Sequence, residues 1–287
     1  MIMNNAFNIN RFGKVLAFDG RKYIRNFGLT LAILCGLNLV LWILTLIFDF
    51  TMPTMPRYMV IYLAMLLAII LVPAKAFGDI NLSREGVRFA MLPASNLEKY
   101  CSYVLFCLLT PVVVVFGSWA VDSLLTLLPF GGFDHYIRHF GFSGMMHDFF
   151  MEIGELAGED MSGEGYETFQ NVMNVFGPAY NLSIIVGSFF SLGLFMFGNL
   201  LFKTHKTAKT LAVMIGVSYV ISLIMQVFFV SKGIYPWMSE ASLGVSADAG
   251  DLIDFARGAM TYSNILNTIL TVGLYVGLFF KFKTQKY

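Results

Sequence analysis

Four histidines, three cysteines and one Gly-x-Ser-Gly mark where this 287-residue sequence could do covalent or metal chemistry. Gly141-Phe142-Ser143-Gly144 could present a nucleophilic serine, which would need a histidine, here one on another span, to accept its proton. That acceptor is missing. His135, His139 and His147 fall in a polar segment and His205 in a basic one, so none lies in an apolar stretch. His135 and His139 are four residues apart beside Asp134 and could share a helix face, but no third ligand follows at a fixed spacing. A surface pair is the simpler account. Cys35, Cys101 and Cys107 lie in or beside apolar stretches, without a Cys-x-x-Cys, and suggest neither a disulfide framework nor a metal site. The chain lacks a Gly-x-x-x-x-Gly-Lys-Ser/Thr phosphate loop, so ATP hydrolysis is not expected of it. With no converging acid, base and nucleophile, the expectation is a non-enzyme that binds no cofactor or metal.

The composition explains why catalytic residues are sparse. Hydrophobic residues make up 57% and charged residues 13% of the chain, a balance that a soluble domain has no use for. An integral, all-α, polytopic membrane protein is expected. Six stretches are long enough to cross about 30 Å of hydrocarbon at roughly 1.5 Å per residue: 28–49, 58–77, 101–129, 179–202, 210–231 and 259–280. Pro73 and Pro111 sit inside spans and read as kinks tolerated by neighbouring helices. Before the first span, residues 1–27 carry Arg11, Lys14, Arg21, Lys22 and Arg25 against the single acid Asp19. Ile9, Phe12, Leu16, Tyr23 and Phe27 recur at helical spacing, which predicts an amphipathic helix in the interface. The first ten residues are polar, with no short apolar core of a cleaved signal peptide, so the first span is expected to act as its own insertion signal.

The net charge of +1 conceals a sorting by loop. Fifteen basic residues fall in the N-terminal segment, 75–99, 203–209 and the tail after 280, and four, Arg57, Arg138, Lys232 and Arg257, fall in the alternate connections. The positive-inside rule therefore predicts both termini inside, including the basic tail 281–287, with 130–178 and 232–258 outside. The outer segment 130–178 carries eight acids and two helical patterns. One presents Met145, Met146, Phe149, Phe150, Ile153, Leu156 and Ala157 opposite His147, Asp148, Glu152 and Glu155; the other runs through Tyr166, Phe169, Met173 and Phe176. The segment 232–258, with Tyr235-Pro236-Trp237 and an apolar run at 252–256, is a candidate re-entrant loop.

Inside the spans, Ser183, Gly187 and Ser191, and Gly273 with Gly277, are small residues at four-residue spacing that permit close helix approach. No Lys, Arg or His occupies the centre of a span, and the acid Asp122 falls near an outer end, which argues against an ion-coupled pump. Asn38, Gln226, Asn264, Asn267, Thr268 and Thr271 are uncharged polar groups that either bond between helices or line a substrate path.

The segment 78–99, between the second and third spans, carries the most specific pattern. Arg84, Glu85 and Arg88 precede Leu92-Pro93-Ala94-Ser95, and Glu98-Lys99 follow. Ser95 with Glu98 three residues on predicts a capping box at the start of the third span. The run Phe89-Ala90-Met91-Leu92-Pro93-Ala94-Ser95-Asn96-Leu97-Glu98-Lys99-Tyr100 resembles the stretch after the second span in a bacterial branch of the membrane-spanning permease subunits of type-two exporters in the ATP-binding-cassette (ABC) transporter superfamily. The basic N-terminal helix, six spans and cytoplasmic termini are similar in a broader, less specific way. The resemblance implies a permease dimer, of two copies or with a paralogue, in the bacterial cytoplasmic membrane. ATP would be bound and hydrolysed by separate ATPase subunits touching the N-terminal helix and the loop after the second span, with Arg84, Glu85, Arg88, Pro93, Ser95, Glu98 and Lys99 as the coupling residues. It does not transfer a substrate, and the long acidic segment 130–178 departs from the family's short connection. The alternative reading is a non-transporting immunity or sensor subunit that binds an extracellular ligand through 130–178.

Overall fold

The computed structural model describes residues 7–81, 87, 91–128, 130–133, 144, 148, 164–231 and 249–284. Arg84, Glu85 and Arg88, His135, His139 and His147, Ser143, the 145–157 face and the 232–248 part of the candidate re-entrant loop lie outside these residues. The described elements are helical: α1 (Ile9–Cys35), α2 (Leu37–Phe48), α3 (Thr54–Phe77), a 3-10 turn (Gly78–Asn81), α4 (Asn96–Thr126), α5 (Glu164–Leu201), α6 (Lys206–Ser231) and α7 (Ala249–Thr284). α3 to α7 each hold a stretch long and apolar enough to cross a membrane, and α1 with α2 supplies a sixth crossing if the bent pair counts as one span. The protein is thus an all-helical, membrane-embedded chain.

Three boundaries differ from the sequence expectation, each for a local reason. The amphipathic pattern 9–27 and the start of the first apolar stretch form one continuous helix, because nothing at 27–28 breaks the backbone ladder. The break comes at Gly36, whose N–H bonds back to the Ala32 and Ile33 carbonyls, and α2 leaves at 40°; glycine is among the usual sites of sharp bends. The pattern at 166–176 is not a separate outer helix but the first part of α5, which has 38 residues and so is roughly 57 Å long. Likewise 249–258 begins the 36-residue α7.

α1 buries Val15, Asp19, Tyr23, Phe27 and Leu34, a stripe at three- to four-residue phase that faces α4 and α3. Tyr23 stacks on Phe106 of α4 at 5.3 Å, and its hydroxyl shares a 2.8 Å hydrogen bond with Thr110. The helices fall into two groups, α1 to α4 and α5 to α7. They meet most tightly at the end that carries Ser95, through Phe77, Tyr103, Met196, Leu200, Leu278 and Phe282. There the Tyr100 hydroxyl donates to the Tyr275 carbonyl across α4 and α7.

Candidate functional site

Ser95 is extended (φ −68°, ψ 155°) and caps α4, its Oγ accepting from the Glu98 N–H at 3.3 Å while Glu98 Oε2 accepts from the Ser95 N–H at 2.9 Å. Just before it, the Ala94 N–H bonds to the Leu92 carbonyl at 2.7 Å, an i to i+2 turn centred on Pro93, whose ring holds φ near the value such a turn needs. The proline thus sets the chain's entry into the cap.

Glu98 does more than close this box. Its Oε1 accepts from the backbone N–H of Asn8 at 2.8 Å and from Arg11 Nη2 at 3.0 Å. Asn8 is itself the N-cap of α1, its side chain accepting from the Asn10 and Arg11 N–H groups. One fully buried carboxylate therefore ties together the N-termini of two helices. Helix N-termini carry orphan N–H donors and the positive end of the dipole, so an anion between two of them is favourably placed. The sequence announces the Ser95 half of this joint, through the three-residue spacing, but not the Asn8 half.

One turn on, Ser102 donates to Asp19 Oδ2 at 2.6 Å, and Lys99 is buried close by. Asp19 and Lys99, one from each helix, lie within mutual electrostatic reach. The other end of the 78–99 segment is held as well. Asn199 of α5 donates to the Phe77 carbonyl at 3.3 Å, and the Lys206 ammonium of α6 to the Gly78 carbonyl. These side chains bond to carbonyls at the junction of α3 and the 3-10 turn. Of the segment's charges, Glu98 and Lys99 are turned inward, whereas Val87, Met91 and Leu97 are exposed, Met91 at 77%. The sequence expectation named charged residues here and did not single out these exposed apolar ones.

Several of the uncharged polar residues bond between or within helices. Asn38 donates to Asp122, Asn264 pairs with Ser183 and the Ala179 carbonyl of α5, and Thr268 and Thr271 bond back to carbonyls of their own helix. The Gln226 side chain lies outside the described residues, and Asn267 is half-buried on α7. Of the small residues, Gly187, Gly273 and Gly277 face open space; Gly193 and Gly198 make close crossings, against Leu274 and Tyr275 and against Thr210, as Gly117 does against Cys35.

At the opposite end of the bundle the sequence reading missed a second polar cluster. Arg57, counted as a loop residue, lies in the first turns of α3, where Nε and Nη2 donate to the two Asp122 oxygens at 3.1 and 2.8 Å. Asn38 adds a third donor to Asp122, and the guanidinium lies 3.9 Å from the centre of the Phe133 ring. The neighbouring Tyr58 hydroxyl donates to Asp148 at 2.8 Å. A two-point carboxylate pair, a third hydrogen bond and an aromatic face together offset the cost of burying this charge. Below the cluster, a cavity of about 560 Å³ opens between α3, α4 and α5, with aromatic, aliphatic and methionine walls. No protein family, curated protein or solved structure matches the chain.

Proposed function

We propose that this chain is the permease subunit of an ATP-driven ABC exporter. It works as a dimer, of two copies or with a paralogue, in the bacterial cytoplasmic membrane with both termini inside, and it draws on a separate ATPase subunit that carries the ATP. The observation that supports this best is the construction of the segment after α3. One end is fastened to α5 and α6 through Asn199 and Lys206, the other to α1 through Glu98, and between them Met91 stands exposed. A segment anchored at both ends and capped directly onto a 31-residue helix transmits a push into the membrane. A slack loop absorbs it. Arg84, Glu85 and Arg88 complete the proposed contact.

The test is to purify the chain without bias, identify its partners, and reconstitute it with any ATPase found. Met91→Glu should lower partner retention by about tenfold, the equivalent of about 1.4 kcal/mol. Glu98→Ala and Arg88→Glu should leave expression and dimer formation near normal while separating ATP hydrolysis from substrate movement. Full retention and full coupling in all three variants would defeat the reading.

A second reading has one observation in its favour. The chain after α4 is fastened to the spans by the Gly132 N–H to Thr45 Oγ1 bond, by Phe133 against Arg57 and by Asp148 on Tyr58. A ligand held by 130–178 would bear on the buried ion pair, as a sensor or immunity subunit requires. Purification that yields no ATPase but a ligand-dependent change at Asp148 would favour this over transport.

A further inference from the structure

We infer that the cavity between α3, α4 and α5 is a binding site for an acyl chain of a membrane lipid, reached from one leaflet. Its depth is the first argument. α4 lines it from Leu108 to Trp119 and α5 from Asn181 to Leu192, each roughly 16 Å of helix, about half of a ~30 Å hydrocarbon core. The far end is blind: Leu192 belongs to the buried core that joins the two helix groups, together with Met196 and Tyr103. The cavity is therefore one leaflet deep and is not a passage through the bundle.

Its chemistry is graded along the same axis. Tyr58, Trp119 and Asn181 stand at the end near the Arg57–Asp122 pair, and Met65, Leu108 and Leu192 at the blind end. This order, polar-tipped side chains and then mostly apolar ones, with Tyr62 and Ser188 between, matches an amphiphile with its head at the membrane surface, since tryptophan and tyrosine favour the headgroup level. The volume, about 560 Å³, is ordinary for a small-ligand cavity. Lipid tails are already in apolar surroundings, so transfer itself contributes little. Selectivity comes from contact with aromatic rings and the adaptable Met65 side chain, and from the polar end.

This proposal does not depend on an ATPase partner. The experiment uses the full chain with Trp42→Phe and Trp237→Phe, leaving Trp119 as the sole tryptophan, titrated in detergent micelles with phosphatidylcholine brominated on its acyl chains. Saturable quenching is expected at a low mole fraction of lipid. A reporter with Trp119→Phe and Ile269→Trp, on an exposed face of α7, should quench only in proportion to the lipid present. Ser188→Phe and Val112→Phe, which fill the cavity from α5 and α4, should each weaken the Trp119 response about tenfold or more, with Ser188→Ala unchanged. Identical curves for the two reporters would mean ordinary surrounding lipid and overturn the proposal. Absence of quenching at Trp119 would mean that protein covers the site and overturn it equally. If both filling variants fail to fold, mass spectrometry of the purified chain decides: a stoichiometric phospholipid upholds the site and none overturns it.

Discussion

Arg57 and Asp122 form a two-point ion pair at 3.1 and 2.8 Å across 65 residues of sequence, with both side chains essentially sealed from solvent. The pair fixes the start of α3 to the end of α4, and Asn38 adds α2 to the same carboxylate. The cavity lies below it and the chain that follows α4 above.

Breaking the pair from one side should cost much more than removing it whole. Arg57→Leu or Asp122→Leu alone leaves a buried charge and should destabilise by about 3–5 kcal/mol, whereas the double substitution should recover most of that loss. Unfolding of the four proteins in mixed micelles measures the coupling. Additive losses would show that the pair is solvated.

The Glu98 joint should be graded by what its partner groups lose. Ser95→Ala removes one cap acceptor and should cost about 1 kcal/mol. Glu98→Ala also takes an acceptor from the Asn8 N–H and from Arg11, so α1 should loosen at its start and trypsin should cut at Arg11 and Lys14 sooner. Glu98→Gln should fall between, since it keeps acceptor oxygen without charge. Equal cleavage rates in all variants would mean that α1 is held by its apolar stripe alone.

Glycine substitutions should separate internal crossings from the open face. A methyl on Gly198 would overlap the Thr210 side chain, and one on Gly193 would press Leu274, so Gly198→Ala should destabilise by about 1–3 kcal/mol. Gly273→Ala meets nothing within the chain and should stabilise the helix by up to about 1 kcal/mol. Thermal unfolding in detergent gives both signs. If Gly273→Ala instead abolishes dimers, that face is the contact between copies.

The sidedness rests on the fifteen-to-four sorting of basic residues. In a cysteine-free background, a cysteine placed at Ser162 should react with an impermeant thiol reagent in intact cells and one at Ser83 should not. The reverse pattern would invert the protein in the membrane.

Much of this was legible in the chain. Apolar stretches of about 20 residues require helices because a bilayer offers the backbone no partner, and α3 to α7 each contain one. The capping box at Ser95 and Glu98 was legible for the same kind of reason: its partners are three residues apart, so local geometry brings them together. Boundaries were less legible. Hydropathy marks where a helix becomes apolar, not where it starts, so the charged beginnings of α1 and α5 read as separate pieces.

What the tertiary structure alone decided is which distant residues share a contact. Nothing in the sequence pairs Arg57 with Asp122, Asn8 with Glu98, or Lys206 with Gly78, because periodicity identifies a face but not the helix opposite it. The same limit governs the small residues. Gly187, Gly273 and Gly277 have the spacing of a crossing yet face open space, while Gly193 and Gly198 carry close crossings. Spacing along one helix sets what can approach; the packing of the apolar helices, driven by shape when every surface is equally oily, sets what does.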